Sequence, residues 1–368
     1  MKKISLITIF DNPNFGTYLQ ALSLSLVLER FDTKVEIVRY MRPVWHNPSL
    51  LSRKTKFLQP IRELFHILCG NKGIKQRRQC RKFVSNHISL SSIYYSYEEL
   101  VKHPPIADVY LTGSDQVWNA IHNHGLDKSF YLAYAPLDKP RYAYAASIGM
   151  DNIPDEYRIE TKELLSQYKL ISVREKSNIR LLNELGIKCS LVLDPTLLLS
   201  ADEWRKYENQ KYKFDEPYVL IYSVESRERG CEVVKIARKV ANELGYKLVE
   251  VSYFGPDKRI DGCDVYFYYA SPDLFLSLVD NARFIVGSSF HVTAFSINFN
   301  KQFLTVTPDR FSSRVDNLLN LTNLTDRKVE NIDVYNNRLL EPIDFTYANQ
   351  ILNAERKSSF EFIKQIVL

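Results

Sequence analysis

The chain has 368 residues, 45% of them hydrophobic and 25% charged, with a formal net charge of +6. This composition is typical of a soluble globular protein with two domains, and no run approaches the roughly 18 apolar residues that indicate a membrane-spanning helix. The five cysteines lie far apart and form no CxxC pair, which argues against a disulfide framework and a structural zinc site. We therefore expect reduced thiols, no bound metal and a cytoplasmic protein.

The start of the chain predicts a βαβ unit. Residues 4–10 and 34–40 are short apolar runs, and residues 19–31 carry apolar side chains at helical spacing. Two lysines before the first run also fit a signal peptide, but Asp11 and Asn12 interrupt that run and no small-residue cleavage site follows. A buried first strand is the better interpretation, and a βαβ opening is expected of a parallel sheet.

Short apolar runs and amphipathic segments alternate along the rest of the chain. The further predicted strands are residues 107–111, 141–146, 170–173, 192–193, 218–222, 247–251 and 284–286. A charged, tyrosine-rich stretch over residues 200–216 breaks the pattern, and we place a domain junction there. The sequence thus predicts an α/β fold with two Rossmann-like domains facing a cleft. The predicted parts are an N-terminal domain over residues 1–205, a C-terminal domain over residues 206–345, and a helix over residues 346–368 that could cross back to the first domain.

Polar residues follow four predicted strands, where ligands bind in parallel sheets. These groups are residues 12–17, 113–119, 172–175 and 287–291. Each has an ordinary structural explanation as well, since the turn at Asp115 could cap a helix and Arg174 could pair with Glu175 in solvent. His291 could likewise be a core histidine with satisfied nitrogens. Their joint occurrence is what favours a functional site.

Four sequence blocks carry a resemblance to a known family. They are NPNFGTYLQALSL, LTGSDQVWN, the run LISVREKSNIRLL followed by LDPTLLL, and SPDLFLSLVDNARFIVGSSFHVTAFSI. In order and spacing they resemble the motif set of the polysaccharide pyruvyl transferases over residues 4–324. The resemblance implies a fold similar to the GT-B glycosyltransferases, with the active site in the cleft between the domains. It also implies an enzyme that moves the enolpyruvyl unit of phosphoenolpyruvate onto a sugar.

The same resemblance implies roles for particular residues. The family's arginine in the VRE block matches Arg174 and its C-terminal-domain histidine matches His291, and both are implicated in handling phosphoenolpyruvate. Some members carry an arginine two residues before that histidine, where this chain has Ser289, like another branch of the family. We therefore expect another cation for the donor, at Arg310 or Arg314. The expected donor-binding residues are Arg174, Ser288, Ser289, Arg310 and Arg314.

The chemistry of a pyruvyl ketal demands three kinds of group. The enol ether carbon must be protonated, which suits a histidine, and we assign this step to His291. The donor's carboxylate and phosphate call for arginine and for backbone amides at a helix start. A carboxylate is useful to accept the sugar's proton or orient its hydroxyl, and Asp115 is our candidate. No metal and no cofactor besides the donor substrate is required.

The acceptor is expected to meet the first domain. Gly16 would let the backbone approach a ligand closely, and a plain turn would explain this glycine equally well. The expected acceptor-binding residues are Asn14, Gly16, Gln20 and Asn119.

A basic segment lies between residues 53 and 82, with ten Lys or Arg and one acidic residue, Glu63. It could be a helix packed on its own domain with a solvated cationic end. It could instead be an interfacial helix that holds the enzyme at the inner membrane leaflet, where a polyprenyl-diphosphate-linked oligosaccharide would be the acceptor. Capsule and exopolysaccharide precursors, to which the resemblance also points, are the acceptors we consider. Nucleic acid is not expected, because the aromatic residues form no stacking platform.

Two other functions share the predicted fold. One is a GT-B glycosyltransferase that uses a nucleotide sugar, which would need a pocket for a base and a ribose. The other is a non-catalytic protein that binds glycans or membranes. Fold alone does not separate these alternatives from a pyruvyl transferase.

Overall fold

The computed structural model describes residues 1–10, 14–42, 72–212, 216–225, 227–252, 255–256, 259–308 and 313–368. The chain divides into two compact units. The first consists of Met1–Asn12, Thr17–Pro195 and Ser358–Leu368, and the second of Pro13–Gly16 and Thr196–Lys357. Each unit contains one parallel β-sheet with helices, so the predicted α/β fold with two Rossmann-like units is confirmed.

The unit boundaries differ from those that the sequence predicts. The division falls after Pro195 rather than at residue 205, because the helix Ala201–Arg205 packs within the second unit, where Trp204 lies against Phe295 and Arg205 pairs with Asp280. The last helix begins in the second unit, but its end from Ser358 onward belongs to the first. A short early segment, which contains two predicted acceptor residues, groups with the second unit.

The first unit is built on seven strands within the described residues, in the spatial order β3-β2-β1-β4-β5-β6-β7 and all parallel. Its strands and helices are, in chain order, β1 Lys2–Ile7, α1 Phe15–Glu29, β2 Thr33–Tyr40, α2 Lys72–Ser85, β3 Ser89–Tyr94, α3 Tyr97–Lys102, β4 Val109–Thr112, α4 Ala120–Asn123, β5 Arg141–Ala146, α5 Asp155–Leu165, β6 Leu170–Val173, α6 Lys176–Glu184 and β7 Ser190–Leu191. Strands β4 and β5 are buried along their whole length, as expected for central strands covered on both faces.

The second unit is built on six described strands, in the order β10-β9-β8-β11-β12-β13 and again all parallel. Its elements are α7 Ala201–Arg205, β8 Tyr218–Tyr222, α8 Arg227–Leu244, β9 Lys247–Val251, β10 Val265–Phe267, α9 Pro272–Asn281, β11 Phe284–Gly287, α10 Phe290–Asn298, β12 Gln302–Val306, α11 Ser313–Thr322, β13 Lys328–Val329 and α12 Thr346–Val367. Short 3₁₀ turns occupy Lys128–Tyr131, Pro195–Leu197, Thr325–Arg327, Ile332–Val334 and Asn337–Leu340.

Both sheets reverse their strand order at one point, between β1 and β4 in the first and between β8 and β11 in the second. In open parallel sheets the loops that follow the strands diverge there and leave room for a ligand. The predicted site residues Asp115 and His291 follow β4 and β11. The topology therefore places each of them beside the switch point of its own sheet.

The basic segment is described only in part. Its residues 53–71 lie outside the described residues, and helix α2 contains the rest of its basic residues. In α2 the side chains of Cys80 and Val84 are buried, whereas Arg78 and Lys82 are exposed. This half of the segment thus packs on its own unit and presents a cationic face. None of the helices in the described part of the chain is long and apolar enough to cross a membrane.

Candidate functional site

Three carboxylates surround one arginine at the carboxyl ends of β4 to β7. The guanidinium of Arg174 contacts Asp194 Oδ2 at 2.6 Å through Nη1, Glu175 Oε1 at 3.0 Å through Nε, and Asp115 Oδ1 at 3.3 Å through Nη2. Nη1 also donates to Ser114 Oγ at 3.1 Å. All three guanidinium nitrogens thus make polar contacts within the first unit. We call these four charged residues the Arg174 cluster.

Burial and charge act in opposite directions on this arginine. Burial lowers the pKa of Arg174, and the charges of Asp194, Glu175 and Asp115 outweigh it, so that the pKa is raised and the side chain stays protonated. Its side chain is 1% exposed. A buried ion of this kind is retained only where partners compensate its lost hydration. The arginine is therefore essential to the local charge balance.

Asp115 has the most exposed carboxylate of the cluster. Its side chain is 12% exposed, against 3% for Glu175 and 1% for Asp194. Its backbone has a φ of 75°, a left-handed conformation that aspartate tolerates better than most residues. The backbone carbonyl accepts from Ser147 N at 3.0 Å, and Oδ2 accepts from Thr17 Oγ1 at 3.4 Å. Of the three carboxylates, this is the one that solvent reaches most readily.

Two predicted acceptor residues are held inside the first unit. Asn119 is fully buried, its Oδ1 caps α4 by accepting from the backbone amides of Ile121 and His122, and its Nδ2 donates to Gln116 and Gly149. Gln20, also buried, donates from Nε2 to Thr8 Oγ1 at 3.0 Å and to two backbone carbonyls. These contacts hold the turns after β1 and β4, and an acceptor-binding role for either residue stays a prediction.

In the second unit, His291 lies in the first turn of α10 and is 4% exposed. Ser288 and Ser289 precede it after β11 and are also buried, and Ser288 Oγ lies 3.1 Å from Ser223 Oγ, which follows β8. The imidazole fills the space beside Gly16, where a Cβ would lie only 2.1 Å from His291 Cγ and Nδ1. Sequence reasoning placed Gly16 with the first domain, and this contact places it with the second unit.

Asn14 also belongs to the second unit. Its Oδ1 accepts from the backbone amide of Gly16 at 2.9 Å and from the hydroxyl of Tyr222 at 3.2 Å. Tyr222 is the last residue of β8 and is fully buried. The turn that enters α1 is thus hydrogen-bonded to β8, which pairs with β11, the strand that precedes His291.

The two candidate donor arginines differ in what the structure shows. Arg314 lies in the first turn of α11, with its guanidinium carbon 5.9 Å from the centre of the Phe290 ring, next to His291 in sequence. Arg310 lies outside the described residues. Of the two arginines, Arg314 is therefore the one that the structure describes close to His291.

A model of the polysaccharide pyruvyl transferase family matches residues 14–310, which is most of the chain. The chain belongs to the polysaccharide pyruvyl transferase family. The match includes Asp115, Arg174 and His291. A search of curated proteins finds no match to this chain.

Solved structures resemble the transferase over nearly its whole length. A UDP-GlcNAc 2-epimerase from Neisseria meningitidis bound to UDP-GlcNAc has a TM-score of 0.53 at 11% identity and covers 99% of this chain and 100% of its own. The Methanocaldococcus jannaschii UDP-GlcNAc 2-epimerase has a TM-score of 0.50 at 13% identity, covering 96% and 92%. Arabidopsis thaliana UGT89C1 complexed with UDP-L-rhamnose has a TM-score of 0.50 at 10% identity, covering 100% of both chains. At these identities the similarity shows the GT-B-like fold and not the substrate.

The structure brings together part of what the sequence predicts for this transferase. Asp115 and Arg174 meet in the first unit, while Asn14, Gly16 and His291 meet in the second. Sequence reasoning missed Asp194 as a partner of the arginine and Tyr222 as the partner of Asn14. It considered Glu175 only as a solvent-exposed partner of Arg174, whereas both side chains of this pair are buried. Asp194, Glu175 and Tyr222 all lie at or shortly after the end of a strand, and this position is the signal in the sequence that could have identified them. No group of three metal-ligating side chains occurs among the residues that the structure describes.

Proposed function

We propose that this polysaccharide pyruvyl transferase moves the enolpyruvyl unit of phosphoenolpyruvate onto two hydroxyls of one sugar and releases phosphate. A proton added to the donor's methylene carbon makes C2 an oxocarbenium-like centre, and one sugar hydroxyl bonds to it. The second hydroxyl then displaces phosphate at C2, and a cyclic ketal with a methyl group results. The placement of His291 in the first turn of α10, beside the switch point of its sheet, is the observation that carries the proposal.

His291 is the general acid in this proposal. An imidazolium supplies a proton near neutral pH more readily than any other side chain. The donor phosphate would lie at the start of α10, close to its first backbone amides and to the hydroxyls of Ser288 and Ser289. Arg314, close to Phe290 in the same unit, would supply the cation that Ser289 does not.

Asp115 accepts or orients the acceptor's hydroxyl proton. Arg174 holds Asp115 in place, since Nη2 contacts the carboxylate that is the most exposed of the cluster. This role departs from direct donor binding, the role that the family resemblance suggests for Arg174. It is supported by the contacts that all three guanidinium nitrogens make within the first unit.

The acceptor we propose is a lipid-linked oligosaccharide precursor of a capsular polysaccharide or exopolysaccharide. The choice of a polysaccharide precursor as acceptor rests on the family to which the chain belongs. Exposed cationic residues of α2 would hold the enzyme at an anionic membrane surface that carries such a precursor.

The first experiment is a thermal-shift titration with phosphoenolpyruvate, beside phosphate and UDP-sugars, followed by phosphate release in the presence of sugar acceptors. A ligand that binds only the native state raises the melting temperature. Phosphoenolpyruvate should raise it more than phosphate does. His291→Asn should keep this shift and lose transfer. His103→Asn, at an exposed histidine, is the matched control. Stabilisation by UDP-sugars alone would favour a nucleotide-sugar glycosyltransferase instead.

A further inference from the structure

A side chain at residue 16 would collide with the imidazole of His291. A Cβ built there would lie 2.1 Å from His291 Cγ, 2.1 Å from Nδ1 and 2.6 Å from Cε1. These distances are far below van der Waals contact, and the imidazole is 4% exposed and so has little room to move aside. The ring therefore lies in the space that a side chain at residue 16 would need.

Backbone conformation does not explain this glycine. Gly16 lies in the first turn of α1, whereas the described glycines with positive φ are Gly125, Gly149, Gly186, Gly245 and Gly262. Alanine is the better helix former, so a glycine inside a helix normally costs stability, about 1 kcal/mol relative to alanine. Close approach of the imidazole is thus the reason for glycine, rather than the plain turn that the sequence left open.

The turn before Gly16 is held to the same sheet as the histidine. Asn14 Oδ1 accepts from both Gly16 N and the Tyr222 hydroxyl, and Tyr222 is the register partner of Gly287 on β11. Phe15 stacks on Phe275 at 4.9 Å between ring centres and also contacts Tyr222. Both sides of the contact, the glycine and the imidazole, are therefore fixed to adjacent strands β8 and β11.

We propose that Gly16 is a positioning residue for His291, with Asn14 and Tyr222 holding Gly16 in place. The backbone of Gly16 forms a wall against the Nδ1 edge of the imidazole and sets the ring's orientation. The contact itself does not depend on the proposed function. Only the importance of the ring's orientation for proton transfer rests on the proposed function. It replaces the acceptor-binding role that the sequence predicts for Gly16.

Two variants test this wall directly. Gly16→Ala displaces the ring, and a misplacement on the order of 1 Å lowers the rate roughly 10²-fold in oriented reactions. We expect that loss in kcat for phosphate release, with a much smaller change in KM for phosphoenolpyruvate. Tyr222→Phe removes the hydroxyl bonded to Asn14, and a smaller loss in kcat is expected. Gly230→Ala is the control, since its Cβ meets the flexible tip of Ile260 at 2.3 Å in another helix of the same unit.

The decisive readout is independent of activity. Imidazole ¹⁵N resonances of His291, assigned with His291→Asn, should shift in Gly16→Ala and Tyr222→Phe and stay in place in Gly230→Ala. Unchanged His291 resonances in both test variants would overturn the positioning role, whether or not the enzyme uses phosphoenolpyruvate. If Gly16→Ala does not fold, Tyr222→Phe, which deletes one oxygen, decides by the same spectrum. Failure of the proposed function would show instead as a wild type that releases no phosphate from phosphoenolpyruvate and is not stabilised by it, and full transfer by His291→Asn would remove only the general-acid role of His291.

Discussion

Arg174 Nη1 lies 2.6 Å from Asp194 Oδ2, and both side chains are 1% exposed. An ion pair buried to this degree does not meet solvent, and the arginine's remaining nitrogens contact Glu175 and Asp115. Its guanidinium therefore compensates the charge of three carboxylates at the strand ends of the first unit.

Arg174→Ala tests this role by stability. Removing one partner of a buried ion pair leaves uncompensated charge, and we expect the free energy of unfolding to fall by about 3–5 kcal/mol. Arg180→Ala removes a 63% exposed arginine paired with Glu184 and should cost about 0–1 kcal/mol. Urea unfolding measures both values. Unchanged stability of Arg174→Ala, with loss of the phosphoenolpyruvate shift, would assign the arginine to the donor.

Asp115→Asn tests the general base. Asparagine tolerates the left-handed backbone and can still accept from Arg174, so the fold should survive. Loss of the base should lower kcat by about 10²–10⁴-fold, with KM for phosphoenolpyruvate nearly unchanged. Initial rates of phosphate release at saturating donor measure this. Asp138→Asn, at a 75% exposed carboxylate, is the control. Full activity of Asp115→Asn would remove Asp115 from the mechanism.

Glu250 predicts a pH-dependent stability outside the proposed site. Burial raises the pKa of this carboxyl from 4.5 to about 7, against the opposing charge of Arg259. Folding therefore takes up a proton between about pH 4.5 and pH 7, and the free energy of unfolding falls as the pH rises through that window. Glu208 acts in the same direction, since burial and the charge of Asp280 raise its pKa to about 7.

Glu250→Gln is the corresponding variant. A neutral amide has no charge to bury, so it should be more stable than the wild type at pH 8 by about 1–3 kcal/mol. The difference should vanish near pH 4.5, where both chains carry a neutral group. Urea unfolding at the two pH values measures it, with Glu228→Gln at an exposed carboxylate as the control. A constant difference, or a less stable variant at pH 8, would contradict the expectation.

The sequence predicted the fold where strands are buried on both faces. Apolar runs marked β4, β5, β8 and β11, because a parallel strand covered by helices needs apolar residues throughout. Strand β3, in which only two of the six residues are buried, was not predicted. Edge strands have one open side, and their composition resembles that of loops.

The candidate site was predictable to the extent that it depends on strand ends. Asp115, Arg174 and His291 each follow a recognisable strand, whereas Asp194 follows the two-residue β7. Tyr222 belongs to an apolar run, which hides its hydroxyl among core residues. The contact between Gly16 and His291 joins residues 275 positions apart (291 − 16), and sequence spacing carries no information about it.

The exposed basic face of α2 predicts binding to anionic membranes. Each Lys or Arg near such a surface contributes roughly 1 kcal/mol, so Arg78→Glu combined with Lys82→Glu, at two exposed basic residues of α2, should reduce binding at least about 10-fold. Cosedimentation with vesicles of 30% phosphatidylserine in phosphatidylcholine, at low and physiological salt, measures it. Lys169→Glu with Lys188→Glu makes the same charge change at exposed lysines elsewhere on the unit and should bind like the wild type. An equal loss of binding in the two double variants would mean that net charge, rather than α2, governs the attraction. If the wild type does not bind the vesicles, the membrane is removed from the proposal.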